Sequence, residues 1–194
     1  MPVAASSSTS SCAVADPPAG ATDGIVAWAE SRTATGEGAV DHDPRPAADA
    51  RLELRAVTRD TVRAVCLLHV APDQRGFVAP NAVSFAEAMF EPKAWFRAVV
   101  ADDVPVGFVM LSIDEATPEY YLWRFMIDQR YQGRGYGRAA LLQVIEHVRT
   151  LPNASELLVS WVPEPGGPAP FYLGLGFELT GELDGDEVIA RRRL

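Results

Sequence analysis

Apolar and polar positions begin to follow a regular period at Arg51, and from there the pattern holds to the C-terminus. "RLELRAV" alternates as a half-buried strand does. Thr58 then stands at a helix-cap position before "RDTVRAVCLLHV". "SFAEAMF" opens a second helix, with Ser84 and Glu87 at capping-box spacing. "WFRAVVA", the pair Asp102–Asp103 and "VPVGFVMLS" predict a hairpin. "EYYLWRFMI" is continuously apolar, which predicts a strand buried on both faces. "GRAALLQVIEHVR" predicts a helix whose inward stripe is Leu141, Ile145 and Val148. "ELLVSWV" is a further strand, "PAPFYLGLG" a short helix started by proline and ended by glycine, and "FELTGELDGDEVIARRR" a hairpin turning at Asp184–Gly185. The order β α α β β β α β α β β predicts a mixed α/β (α+β) fold, a mostly antiparallel sheet of six to seven strands flanked by about four helices.

Residues 1–49 lack this period. They are rich in Ala, Ser, Pro, Gly and Asp, too poor in large apolar groups to offset the entropy of ordering, and predict a disordered acidic leader ahead of a domain over 50–194. A short helix around "GIVAWAE" is the one element expected there, with Trp28 docking on the domain. Seven acids and two arginines give residues 1–50 a charge of −5 out of the total −9, leaving −4 for the rest. That balance disfavours nucleic acid, which needs a basic face, and mildly favours a cationic small partner. No apolar run is long enough for a membrane helix, so a soluble, cytoplasmic protein is expected. Cys12 and Cys66 cannot form a disulfide framework, and His42, His69 and His147 lack ligand spacing, so no metal is expected. Cys66 is expected in the core and His147 on the exposed face of its helix.

The chemistry concentrates in "DQRYQGRGYGRAA". Gly133, Gly135 and Gly137 lie between a strand and a helix, where a row of backbone N–H groups meets the positive end of the helix dipole. Glycine lets an anion approach without a Cβ in the way. Arg138–Ala139 after the last glycine excludes a Walker loop, and the glycine spacing excludes a dinucleotide fingerprint. The remaining pattern, Gln132-x-x-Gly135-x-Gly137, resembles the signature of the GNAT superfamily of acyl-CoA-dependent N-acetyltransferases. "FYLGLGF" at 171–177 resembles that family's second motif, and the element order from 51 to 194 is similar. Within the family, "FVAPNAVSFAEA" and the C-terminal segment look most like the bacterial spermine/spermidine branch.

The resemblance implies a cosubstrate, acetyl-CoA, and a small cationic amine acceptor, with a polyamine among the candidates. Gln132, Gly133, Arg134, Gly135, Tyr136, Gly137 and Arg138 would hold the phosphates, and Phe125, Met126 and Ile127 the pantetheine arm. Tyr172 would protonate the departing thiolate. An alkyl amine with a pKa near ~10.4 must lose a proton before it attacks. Glu119, at a strand start, is the favoured base; Asp114, Glu115 and Glu164 are alternatives. Gln74, Phe77 and Asn81 lie in the segment that covers the acceptor in this family, and Tyr121 would join them. Arg124, a charge in an apolar strand, must pair with an acid such as Asp114 or Glu115, or face the ligand. Cys66 has no visible basic partner, so direct transfer is expected and not an acyl-enzyme. Pro165 occupies the place of an Asn that contacts the coenzyme in many members, which implies a different loop path there. Members commonly pair through sheet edges, so a homodimer is implied. Other acceptors, an aminoglycoside, an amino acid or a protein N-terminus, stay open, as does a non-catalytic acyl-CoA-binding module.

Overall fold

The computed structural model describes residues 46–47 and 50–194. The predicted leader therefore lies outside the described residues apart from Pro46 and Ala47, and the expected Trp28 helix lies wholly outside them. Seven strands form one sheet in the order β1-β2-β3-β4-β5-β7-β6. They are β1 (Leu52–Arg55), β2 (Ala94–Ala101), β3 (Val104–Asp114), β4 (Glu119–Ile127), β5 (Glu156–Trp161), β6 (Glu178–Asp184) and β7 (Glu187–Arg193). Four α-helices pack on it: α1 (Val62–Cys66), α2 (Asn81–Ala88), α3 (Tyr136–Arg149) and α4 (Ala169–Leu173). Only β4 and β5 pair in parallel, across the α3 crossover. A mixed, mostly antiparallel sheet was the expectation, and it is the arrangement found.

Two apolar layers hold the helices to the sheet. On one face Leu141, Val144, Ile145 and Val148 of α3, each at most 1% exposed, pack on Val109, Leu111, Leu122, Leu157 and Val159. On the other, Val65 of α1 and Phe85 of α2 pack on Phe108, Met110 and Met126. Asp102 and Asp103 turn the β2–β3 hairpin with φ of 45° and 67°, a left-handed pair that short acidic side chains tolerate. Asp102 also accepts the amides of Ala47 and Arg51, so the chain is fastened to the domain a few residues before β1.

Four expectations need correcting. The first helix is shorter than its pattern, because the buried Asp128 carboxylate takes the His69 amide at 2.9 Å and pulls the chain out of helix. Ser84 and Glu87 do not cap α2, which starts four residues after Gly76–Phe77 at Asn81 behind Pro80. Cys66 is only partly buried. His147 is not an exposed helix face: its ring stacks on Trp95 at 4.4 Å, and its Nε2 is buried without a hydrogen-bond partner.

Candidate active site

β4 and β5 are paired at only two positions, Tyr121–Leu158 and Leu122–Val159. Beyond Leu122 a bulge intervenes: Met110 faces Arg124 and Leu111 faces Leu122, leaving Trp123 as the extra residue. Such a bulge bends β4 away from its neighbour, so the strands splay into a cleft of ≈ 1350 Å³. That exceeds the ~300–1,000 Å³ usual for one small ligand, so two reactants can meet in it. Phe125, Met126 and Ile127 line one wall; Val159, Ser160, Trp161 and Val162 line the other.

The glycine loop closes one end. Gly133 and Gly135 have φ of 74° and 81°, and a Cβ on either would meet no protein atom within 4 Å. Their conformation, and not crowding, calls for glycine. The first backbone bond of α3 runs from Ala139 N–H to Gly135 C=O at 3.0 Å. Among the described residues, no acceptor takes the N–H groups of Gly133, Arg134, Gly135, Tyr136, Gly137 or Arg138. Six unsatisfied donors at the N-terminus of a fourteen-residue helix make an anion cradle. Residues with that geometry and no carboxylate between them fit the phosphates of a coenzyme A.

Gln132 Nε2 donates to Ile127 C=O (2.9 Å) and to Gln74 Oε1 (2.8 Å). Gln74 is thus occupied by the cradle, although it does line the cleft, as Phe77 does. Asn81 does not reach it. The Asn81 side chain is buried and donates to Val65 C=O at 2.8 Å, so its part is to fasten α1 to α2. The Arg134 guanidinium lies over the Tyr131 ring, outside the cleft lining, which leaves only its amide to the cradle.

Tyr172 lines the cleft, is 7% exposed, stacks on Trp161 at 5.4 Å, and has no hydrogen-bond partner for its hydroxyl among the described residues. Burial pushes its pKa up, so the phenol keeps its proton. Pro165 lies outside the cleft lining. Gly167 N–H bonds to Glu164 C=O at 3.0 Å, closing a turn with Pro165 and Gly166 at its centre, and Gly166 has φ of 80°.

The cleft also carries carboxylates. Glu119 lines it, and so do Asp184, Asp186 and Glu187 from the β6–β7 hairpin. Ser160 donates its hydroxyl to Glu187. The Tyr121 hydroxyl is buried; burial first, then the charges of Glu187, Asp184 and Glu119, raise its pKa against the lowering effect of the neighbouring Ser160. Of the alternative bases, Asp114 is committed to Lys93 at 2.7 Å and to Thr117, which holds its pKa well down. Glu115 and Glu164 do not line the cleft. The hairpin acids were not singled out in the sequence, where "LDGDE" reads as a hairpin turn; only the strand order, with β7 beside β5, brings them to the β5 side of the cleft.

Residues 68–177 match the Acetyltransferase (GNAT) family, and the chain belongs to that family of acetyl-CoA-dependent N-acetyltransferases. It is 29% identical over 152 residues to the spermine/spermidine N(1)-acetyltransferase of Bacillus subtilis, covering 72% of this chain and 97% of the relative. A probable spermine N(1)-acetyltransferase of Bacillus subtilis subsp. natto is 28% identical over the same shares. Among solved structures, an acetyltransferase from Thermus thermophilus superposes with a TM-score of 0.61 at 17% identity, covering 74% of this chain and 97% of that one. The PaiA N-acetyltransferase of Thermoplasma acidophilum, solved with coenzyme A, gives 0.57 at 15% identity over 74% and 99%. No helix among the described residues is long and apolar enough to cross a membrane.

Proposed function

We propose that the protein transfers an acetyl group from acetyl-CoA to a primary amine of a small polycation, a polyamine being the acceptor class that fits best. One observation carries the reading: a single cleft is lined both by the loop that holds six free amides and by the carboxylates of Glu119, Asp184, Asp186 and Glu187. An anionic cofactor and a cationic acceptor would meet between them, at Tyr172. The names of the two Bacillus relatives agree with this acceptor class.

Bound acetyl-CoA supplies an activated thioester. The cradle amides and Arg138 hold its phosphates. The edge of β4 from Phe125 to Ile127, unpaired on the β5 side, holds the amides of the pantetheine arm and polarises the acyl carbonyl. Asp184, Asp186 and Glu187 draw in the ammonium groups of the acceptor, and Glu119 takes the proton that frees the attacking nitrogen. As the C–N bond forms and the C–S bond breaks, Tyr172 gives its proton to the sulfur, and its burial keeps that proton available until then.

The test is CoA release measured over a panel of amines. Spermine and spermidine should exceed amino acids, aminoglycosides and N-terminal peptides by at least about tenfold in kcat/KM. Equal or greater turnover of a neutral or anionic acceptor would overturn the polyamine reading.

A further inference from the structure

Residues 71–80 cross the cleft, and their two fastenings lie on opposite walls. On the cradle side, Gln74 Oε1 accepts from Gln132 Nε2 at 2.8 Å and from the Ala71 amide at 3.3 Å. Both hydrogens of the Gln132 amide are used, one here and one on Ile127 C=O. On the far side the Phe77 ring lies over Gly167, where an added Cβ would come within 3.3 Å of Phe77 Cε1 and 2.9 Å of Glu164 C=O. The Pro165–Gly166 turn sets Gly167 at that point, and the missing Cβ makes room for the strap.

Arg75 follows Gln74 and lines the same cleft as the cradle. Of the cations lining the cleft among the described residues, Arg124 is paired with Glu87 and Arg138 donates to Gly174 C=O. Among the described residues Arg75 has no partner. An unpaired guanidinium held one residue from the cradle latch matches a phosphate better than an ammonium acceptor, which it would repel.

We propose that Arg75 is a further phosphate ligand for the cofactor, delivered across the cleft by the strap, and that Gln74 is the positioning residue that holds it there. This rests on the acetyl-CoA reading above. Cofactor binding would then draw the strap down, and Phe77 with it, over the place where the acceptor binds.

Calorimetric titration of the full chain with CoA at low and high salt tests the proposal. Arg75→Ala should weaken binding about tenfold at low salt and flatten its salt dependence, while Arg75→Lys keeps most of both. Gln74→Ala should weaken binding several-fold in the wild-type background and no further in the Arg75→Ala background, because its effect runs through Arg75; a structural role would give the same loss in both. Wild-type affinity and salt slope in Arg75→Ala would overturn the phosphate ligand, and an undiminished Gln74→Ala effect would overturn the positioning role. Failure of the unaltered chain to bind CoA at millimolar concentration would be seen in the first titration, and would remove the acetyltransferase reading itself.

Discussion

Arg124 of β4 and Glu87 of α2 form an ion pair of 3.0 Å, thirty-seven residues apart in the chain. The arginine side chain is 21% exposed and also donates to Trp123 C=O beside the bulge. Its acid partner is therefore not Asp114 or Glu115. The pair ties α2 to the strand that lines the cleft. Removing the carboxylate leaves a largely buried charge unpaired, whereas the partner itself is more than a third exposed, so the cost lies between surface and buried values. Glu87→Ala should destabilise the fold by about 1–2 kcal/mol and lower Tm by roughly 2–6 °C. Thermal unfolding measures this; an unchanged Tm would place the pair in solvent.

Gly135 and Gly137 separate backbone demand from ligand demand. Gly135 has φ of 81° with open space at its Cβ position, whereas Gly137 lies inside α3 with Phe171 at 3.4 Å. Gly135→Ala should therefore cost about 1–2 kcal/mol in strain as well as weakening CoA binding. Gly137→Ala should leave stability within about 1 kcal/mol and still weaken binding, because the methyl group stands beside the phosphates. Chemical denaturation and CoA titration of both variants check the contrast.

Among the described residues the Tyr172 hydroxyl has no hydrogen-bond partner, so deleting it should cost the fold little and the reaction much. Tyr172→Phe should keep its CoA affinity while kcat falls about a hundredfold. Because burial raises the phenol's pKa above its unfolded value near ~10, the unfolded state releases this proton first as pH rises. Stability is then unaffected by Tyr172 below pH ~9 and declines above pH ~10, and Tyr172→Phe should lose that alkaline decline. Denaturation midpoints at neutral and alkaline pH test it.

The strand, glycine loop and α3 were legible because each rests on local rules: a left-handed φ needs glycine, and a buried helix stripe needs apolar residues three and four apart. The same holds for the Asp102–Asp103 hairpin. What could not be read are relations set by the folded sheet. Gln74 meets Gln132 across fifty-eight positions, and Glu87 meets Arg124 across thirty-seven. Ser84 and Glu87 satisfy a capping spacing, yet Pro80 starts the helix first. Asn81 was expected in the segment that covers the acceptor and is a buried tie between helices. The acids of the β6–β7 hairpin face the cleft only because β7 inserts between β5 and β6.

His147 gives an acid-side counterpart to Tyr172. Burial, and then the positive charge of Arg97, lower its pKa, so below pH ~6.5 the unfolded chain binds a proton that the folded one resists. Stability should fall as pH drops from ~6.5 toward the folded pKa. His147→Phe keeps a ring for Trp95 to stack on and removes the titrating nitrogen, so its acid decline should be smaller than that of the wild type. Equal declines would assign the acid sensitivity to carboxylates.

The hairpin acids offer the sharpest test of the acceptor. Glu187 accepts from Ser160 and sits with Asp184 near the Tyr121 hydroxyl, so its charge is held at the cleft wall and not dispersed in solvent. Glu187→Gln keeps the size and a hydrogen-bond acceptor for Ser160 but drops the charge. Its KM for spermidine should rise about tenfold, with kcat changed less than about threefold and CoA affinity unchanged, since the cradle is built from the glycine-loop amides and not from Glu187. Asp186→Asn should act in the same direction, and both effects should shrink at high salt, where the wild-type attraction is itself screened. If instead kcat collapses while KM stays constant, Glu187 handles the proton, and Glu119 loses its place as the base.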